Sequence, residues 1–181
     1  MFNLTVSNAR TNFPLSPKKI IKKTISKAMA LPWIYLFLGA FFAPAYPLLR
    51  NIFGTSTIPI IIIFIIILFL LNVLWTYIYE GWYFNTYFYE LTESFIVIRK
   101  GVFSNQEITI PYDRIQDVYV DQDIIDRIFG LYDVHLSSAT MSSSWLAHID
   151  GVEQAAADGL KQALLSKLQR GQTSNGNKIT Q

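Results

Sequence analysis

The chain has no cysteine, and it has no aspartate or glutamate before residue 80. Without cysteine there is no disulfide framework, no thiolate chemistry and no cysteine-ligated zinc. His135 and His148 are the only histidines, and two of them without a third ligand favour a structural role over a metal site. Phosphate-binding glycine loops, nucleophile elbows and EF-hand patterns are also missing. These absences predict a protein without catalysis, cofactor or metal.

Two long stretches carry no charge: residues 28–49 and residues 58–79, each 22 residues long. About 20 apolar residues at a helical rise of 1.5 Å cross a hydrocarbon core roughly 30 Å thick. A buried core helix would keep a polar stripe, and two such helices would exceed the core of a chain this small. We therefore predict a transmembrane hairpin over residues 28–79, connected by residues 50–57.

The distribution of basic residues predicts the orientation of this hairpin. Residues 1–27 contain six basic residues and no acid, whereas the connection contains only Arg50. The positive-inside rule then predicts a multi-pass protein of the plasma membrane with both termini cytoplasmic. A cleaved signal peptide is the alternative for the first stretch, but it is longer than the usual apolar region of about 7–15 residues.

Residues 1–27 are predicted to be a basic cytoplasmic tail that lies against anionic lipid. The candidate membrane-surface residues are Lys18, Lys19, Lys22, Lys23 and Lys27.

From residue 84 onwards the apolar pattern changes to that of strands separated by turn residues. Strands are predicted around residues 84–90, 95–99, 108–112, 118–120, 134–136 and 144–149. A short helix over residues 124–129 is expected to end at Gly130, which has the position of a C-cap glycine.

A final amphipathic helix is predicted from Gly151 to about residue 169. Asp150 followed three residues later by Glu153 resembles a capping box at its start. Residues 171–181 are polar and predicted to be disordered. Residues 80–170 are therefore expected to form a small α+β domain at the cytoplasmic face.

Four segments of this domain carry a family resemblance. They are Tyr-Glu-Leu-Thr at residues 89–92, Ile-Val-Ile-Arg-Lys-Gly-Val-Phe at 96–103, Ile-Pro-Tyr-Asp-Arg-Ile-Gln-Asp-Val at 110–118 and Asp-Arg-Ile-Phe-Gly-Leu at 126–131. Their order and spacing resemble the bacterial pleckstrin-homology-like (PH-like) family of membrane-flanked domains, the second bacterial PH type, over about residues 80–168.

The resemblance implies a strongly bent antiparallel sheet, barrel-like, capped by the C-terminal helix and preceded by two transmembrane helices. It implies no reaction. The family-motif residues with an implied structural role are Gly101, Pro111, Arg114, Arg127 and Gly130.

Charge argues against recognition of a lipid head group by this domain. From residue 80 onwards there are thirteen acidic and eight basic residues, a net charge of about −5. A head-group site needs clustered lysine and arginine, and nucleic-acid binding needs a basic surface. We expect instead that the basic tail of residues 1–27 contacts anionic lipids of the membrane without selecting a particular head group.

The leading hypothesis is a membrane-anchored interaction or assembly module at the cytoplasmic face of the cell envelope, which binds a partner protein or a second copy. The candidate interface residues beside the membrane are Tyr83, Phe84, Tyr87 and Phe88. The alternative for these four is a place in the core or at the lipid interface. Alternative functions are lipid sensing and an accessory subunit of a membrane transport or export complex.

Overall fold

A computed structural model describes residues 7–138 and 147–176, with side chains described up to residue 170. The chain divides into two units, one formed by Met1–Lys22 together with Trp82–Gln181 and the other by Lys23–Gly81. We call the first unit the domain and the second the apolar unit. This division differs from the predicted tail of residues 1–27, because residues up to Lys22 belong with the domain.

The apolar unit is helical, and two short turns interrupt its helices. Helix α2 is Lys18–Phe42, α3 is Tyr46–Phe53 and α4 is Thr57–Thr86, while Ala43–Ala45 and Gly54–Ser56 form 3-10 turns. Proline explains the first interruption, because Pro44 has no backbone N–H to donate to the preceding turn. Gly54 explains the second, because it ends α3 at a φ of +60° that side-chain-bearing residues rarely adopt.

By length and composition, the helical stretch Lys18–Thr86 qualifies as one candidate membrane span. Its most apolar window has a mean hydropathy of 3.1, and only 6% of that window is buried. Within the apolar unit the rings of Tyr35 and Phe69 meet edge to face at 6.5 Å, and Lys27 forms an ion pair with Glu80.

The domain contains two three-stranded antiparallel sheets. The first has the order β1 (Phe88–Leu91), β2 (Phe95–Lys100) and β3 (Gln106–Pro111), and the second has the order β4 (Ile115–Asp121), β5 (Leu131–Ser138) and β6 (His148–Glu153). The first strand starts later than predicted because α4 continues to Thr86. Of the last predicted strand, residues 144–146 lie outside the described residues.

The described residues of the domain form three further helices: α1 (Asn8–Asn12), α5 (Ile124–Phe129) and α6 (Gln154–Gly176). The predicted α5 is confirmed, including its end at Gly130, which has a φ of +66°. The predicted start of the last helix is wrong, since residues 150–153 belong to β6. Its predicted end at about residue 169 is also wrong, because the helix continues to Gly176; residues 177–181 lie outside the described residues.

The core of the domain lies between the sheets and the predicted apolar stripe of α6. Ala157, Leu160, Leu164 and Leu168 of this helix are buried in one cluster with side chains from both sheets. Each fully buried leucine or isoleucine stabilises the fold by about 1.5–3 kcal/mol. The same cluster includes Ala9 and Leu15, so the first residues of the chain contribute to the core.

Candidate functional site: a buried lysine–aspartate cluster

Residues 7–22, called here the N-terminal segment, pack against the domain. Ser7 begins α1, since its hydroxyl oxygen accepts a hydrogen bond from the Arg10 N–H at 2.8 Å, and it also donates to the carbonyl of Tyr89. The Arg10 guanidinium donates to the carbonyls of Tyr87 at 2.5 Å and Phe84 at 3.1 Å. These carbonyls belong to the last turn of α4 and to the residue that follows it, where a helix leaves acceptors unsatisfied and favours a cation.

The next part of the segment covers the edge of the second sheet. Leu15 forms an antiparallel bridge with Val152 of β6, and the Ser16 N–H donates to the carbonyl of Gly151 at 2.8 Å. An uncovered edge strand exposes unpaired backbone groups that pair readily with other chains. The segment thus closes the β6 edge with residues that lie more than a hundred positions away in the sequence.

Lys19 reaches the interior beyond this edge. Its ammonium lies 2.6 Å from the Asp150 carboxylate, and the two side chains are only 2% and 4% exposed. The same ammonium lies 4.2 Å from the centre of the Tyr87 ring, a distance at which the ring face attracts a cation. The pair is therefore desolvated and held from two sides.

Glycine is required beside this pair. Gly151 has a φ of +77°, and an added Cβ there would lie 2.7 Å from the Cβ of Lys19. Side chains clash both with that backbone conformation and with the lysine stem. Gly151 therefore provides the space through which the lysine side chain passes.

Lys22 forms the second half of the cluster. Its ammonium lies 2.5 Å from Asp126 and 3.5 Å from both Asp123 and Asp133. Asp126 is 1% exposed, and α5 supplies it from its first turn, where Asp123 caps the helix and accepts from the Asp126 N–H at 2.6 Å. Three carboxylates around one ammonium leave the cation fully compensated.

The pKa values of this group move as the geometry predicts. Burial raises the pKa of Asp126, and the charge of Asp133 adds to this effect. For Lys22, burial acts to lower the pKa, but the hydrogen bond to Asp126 and the three carboxylates outweigh it, so that the pKa is raised above 10.5. For Asp123, burial is outweighed by the Asp126 N–H and by Lys22, and its pKa is lowered.

A third ion pair lies at the surface. Lys18 and Glu153 are 3.1 Å apart, with side chains 53% and 57% exposed. Ser16 also donates to the Glu153 carboxylate at 3.2 Å. The hydrogen bond and charge of Lys18 lower the pKa of Glu153.

These contacts correct the predicted membrane surface. Lys19 and Lys22 were expected to lie against lipid, but they are buried in ion pairs within the domain, because the domain contains buried carboxylates that need a cation. Lys18 is exposed but paired with Glu153, and Lys27 pairs with Glu80. The membrane-surface role of Lys18, Lys23 and Lys27 stays a prediction.

The predicted interface residues lie mostly in the core. Tyr87 is fully buried and donates through its hydroxyl to the carbonyl of His148 at 2.6 Å, so the prediction that it faces a partner is wrong. Tyr83 and Phe84 are partly buried and pack against the core. Phe88 is half-buried with the Arg99 guanidinium 5.7 Å from its ring centre.

His135 belongs to a cross-strand row on the second sheet. It stacks on Tyr119 at 4.9 Å and on His148 at 5.6 Å. Its Nε2 lies 3.1 Å from Asp121, and ligand atoms of Asp121, Asp133 and His135 lie within 4.8 Å of one another, close enough for a shared metal ion. Asp133 already contacts the ammonium of the buried cluster and accepts from the Gly151 N–H at 2.8 Å, which favours the structural role predicted for the histidine.

The residues of the family motif lie at turns and ends of elements. Gly101 has a φ of +120°, and a Cβ there would lie 2.0 Å from the carbonyl oxygen of Ser104. Pro111 ends β3, Arg114 ends the 3-10 turn Tyr112–Arg114, and Gly130 follows α5. Arg127 is exposed on α5. Glycine is thus required at residue 101, where any side chain would meet backbone.

Two three-stranded antiparallel sheets and a C-terminal helix that share one core form an α+β domain, which is consistent with a PH-like fold. Residues 31–173 match the bacterial PH domain family, and the chain belongs to that family. The match begins inside the first apolar stretch, so the family pattern includes apolar residues, whereas the N-terminal segment lies outside it. No curated protein and no solved structure matches the chain.

Domains of this class are generally non-catalytic and commonly bind lipids or proteins. The burial of Lys19 and Lys22 with aspartates of the domain was not predicted from the sequence. Lys19 and Lys22 are three residues apart on α2, but they pair with carboxylates from separate parts of the chain, Asp150 and Asp126, so no local spacing in the sequence points to the cluster.

Proposed function

We propose that this chain is a membrane-anchored interaction or assembly module, with its PH-like domain at the cytoplasmic face and residues 28–49 and 58–79 as two spans. The ring contact between Tyr35 and Phe69 and the ion pair of Lys27 with Glu80 support antiparallel spans, since each joins one apolar stretch or its flank to the other. Both termini are then cytoplasmic, as the basic flank favours.

The observation that carries the proposal is the position of Lys22. It is buried with Asp126 in the domain, and it is also the last residue before the apolar unit. At the second boundary, Trp82 of the domain follows Gly81 of the apolar unit directly in the chain. A domain that the chain joins to both ends of a membrane segment is suited to holding a partner at the membrane.

Charge supports a protein ligand over a specific lipid head group. Twelve of the fifteen basic residues and twelve of the thirteen acidic residues fall in the domain, so its formal charges cancel. Arg10, Lys18, Lys19 and Lys22 already bind groups of the domain. Arg99 and Lys167 pair with Glu107 and Glu93 as well, so at least half of the twelve basic residues of the domain are already bound and fewer remain for the cluster around a phosphate that such recognition requires.

Strand edges indicate where a partner or a second copy would bind. Among the described residues, β1, β3 and β4 are the edges that no strand or bridge covers, but the N-terminal segment lies against β1, where Ser7 donates to the Tyr89 carbonyl. The β4 ladder has an irregularity between Ile115 and Asp117, and such bulges hinder strand addition. The β3 ladder is regular from residue 106 to 111. We therefore assign the protein contact to the β3 edge.

The test is co-purification and cross-linking of the full chain from native membranes in mild detergent. Thr109→Lys places a charge on the exposed β3 edge and should abolish recovery of the partner or dimer. Gln162→Lys, on the exposed side of α6, is the matched control and should behave like the unchanged protein. Monomers alone, with no co-purifying protein in any variant, would reject the proposed function.

A further inference from the structure

Helix α5 exposes two isoleucines side by side. Ile124 is 83% exposed and Ile128 is 75% exposed, and their spacing of four places them on one face of the helix. Arg127 is exposed between them. Isoleucine is normally among the most buried residues, so an exposed pair marks a surface that contacts something apolar.

The orientation of this face is fixed by the buried cluster. Asp126 points to the opposite side, where it is 1% exposed against Lys22. The capping box of Asp123 and Asp126 holds the start of α5, and Gly130 in the left-handed conformation ends it. The isoleucines therefore cannot turn inward without breaking the ion pair.

Chain length limits how far the domain can lie from the proposed spans. Lys22 precedes residue 28 by six positions, and a fully extended chain of six residues spans at most about 20 Å. At the second connection, Trp82 follows residue 79 by three positions, or about 10 Å. In the proposed anchoring, Lys22 therefore lies within about 20 Å of the start of the first span, and Trp82 within about 10 Å of the end of the second.

We propose that the outer face of α5 contacts the bilayer, with Ile124 and Ile128 inserted among the lipid head groups and Arg127 against their phosphates. This inference rests on the proposed membrane anchoring. Apolar side chains beside a base are the composition that interfacial helices use, and one arginine provides attraction to phosphate without a head-group pocket. The occupant is bulk phospholipid, and the contact sets the orientation of the domain on the membrane.

The absence of cysteine makes the test direct, because a single introduced cysteine takes one fluorescent label. The full-length protein is labelled at Ile128→Cys, with Ile124→Cys as a second position, and reconstituted into phosphatidylcholine–phosphatidylglycerol vesicles. Lipids with a quencher near the head group or deep in the chain, and iodide in the water, report the depth of each label. Gln162→Cys is the aqueous control, and Ile66→Cys, 51% exposed in the second apolar stretch, is the membrane control.

The expected result is quenching of the label at residue 128 by the shallow lipid quencher, at least several-fold above that at residue 162, while the label at residue 66 responds to the deep quencher. Equal iodide quenching at residues 128 and 162, with residue 66 still in the bilayer, would overturn the inference and leave the anchoring intact. Shielding of residue 128 from both iodide and lipid would also overturn it, by showing a protein partner. Failure at residue 66 would reject the anchoring itself.

Discussion

Replacing Lys19 with methionine tests the buried cluster most directly. Methionine keeps the unbranched side chain but removes the ammonium, so the Asp150 carboxylate, 4% exposed, loses its cation at 2.6 Å. Breaking a buried pair by removing one partner costs about 3–5 kcal/mol, and the lost attraction to the Tyr87 ring adds about 0.5–2 kcal/mol. Against a total stability of about 5–15 kcal/mol, Lys19→Met should bring the domain close to unfolding.

The adjacent lysine provides the matched control. Lys18→Met is the same substitution one residue earlier, but the ion pair of Lys18 with Glu153 is exposed on both sides. Exposed pairs contribute about 0–1 kcal/mol, so this variant should unfold near the unchanged protein. Urea titration of the full chain in mild detergent, followed by near-ultraviolet circular dichroism of the buried tyrosines, measures the difference.

A double variant separates charge from packing. Lys19→Met combined with Asp150→Asn removes both charges while the amide still accepts hydrogen bonds. Because the main cost comes from an uncompensated buried carboxylate, the double variant should be more stable than Lys19→Met alone. Equal stabilities for Lys19→Met and Lys18→Met, or additive losses in the double variant, would refute the reasoning.

Three further outcomes are expected. Gly151→Ala should lower the unfolding free energy by about 1–3 kcal/mol more than Gly130→Ala, because both have positive φ but only Gly151 has side-chain atoms within 4 Å; urea titration compares them. Burial raises the pKa of Tyr112 above 10.0, so above about pH 10 the folded state keeps a proton that the unfolded state releases, and the free energy of unfolding falls as the pH rises. In Tyr112→Phe this decrease in the free energy of unfolding should be smaller by up to about 1.4 kcal/mol per pH unit. Residues 82–176 alone should fail to give a cooperative transition by circular dichroism, and joining residues 7–22 to them through a glycine–serine linker should restore it.

Elements with local signals could be predicted from the sequence. Helix α5 lies at the predicted residues, because its N-cap Asp123 and its C-cap glycine act within one turn of the helix. Strand β2 is close to its predicted bounds because its apolar run is continuous, and turn residues precede and follow it. Leu160, Leu164 and Leu168 of α6 are buried as their helical spacing predicted.

The start of α6 shows why other boundaries could not be predicted. Asp150 and Glu153 have the spacing of a helix-capping pair, and locally they favour a helix beginning at Gly151. In the structure both carboxylates bind lysines of the N-terminal segment, 131 and 135 residues away in sequence. Pairing with β5 and this distant cation stabilise the extended conformation, and no pattern within the local sequence contains either partner.

The N-terminal segment was missed for a related reason. A basic stretch before an apolar run is typical of membrane topology signals, and that interpretation accounts for its charge without any contact to the domain. The first six basic residues precede every acidic residue in the sequence. This order is explained equally well if the early lysines neutralise carboxylates of the same folded domain. Only the burial of Lys19 and Lys22 distinguishes the two explanations.

The burial of Lys19 and Lys22 also changes which ligands the charge of the domain favours. The net charge of about −5 for residues 80–181 argued against a lipid head-group site, but Asp126 and Asp150 are buried and the whole domain has no net charge. The domain therefore has no net charge that would attract either ligand. The proposed protein contact then depends on the backbone groups of the β3 edge, and the proposed lipid contact depends on the apolar face of α5. Of the lysines in the basic stretch, Lys22 holds α5 in place through Asp126. Its removal should therefore disturb the orientation of the domain through loss of α5 packing, and high salt, which screens exposed charges, should leave that orientation largely unchanged.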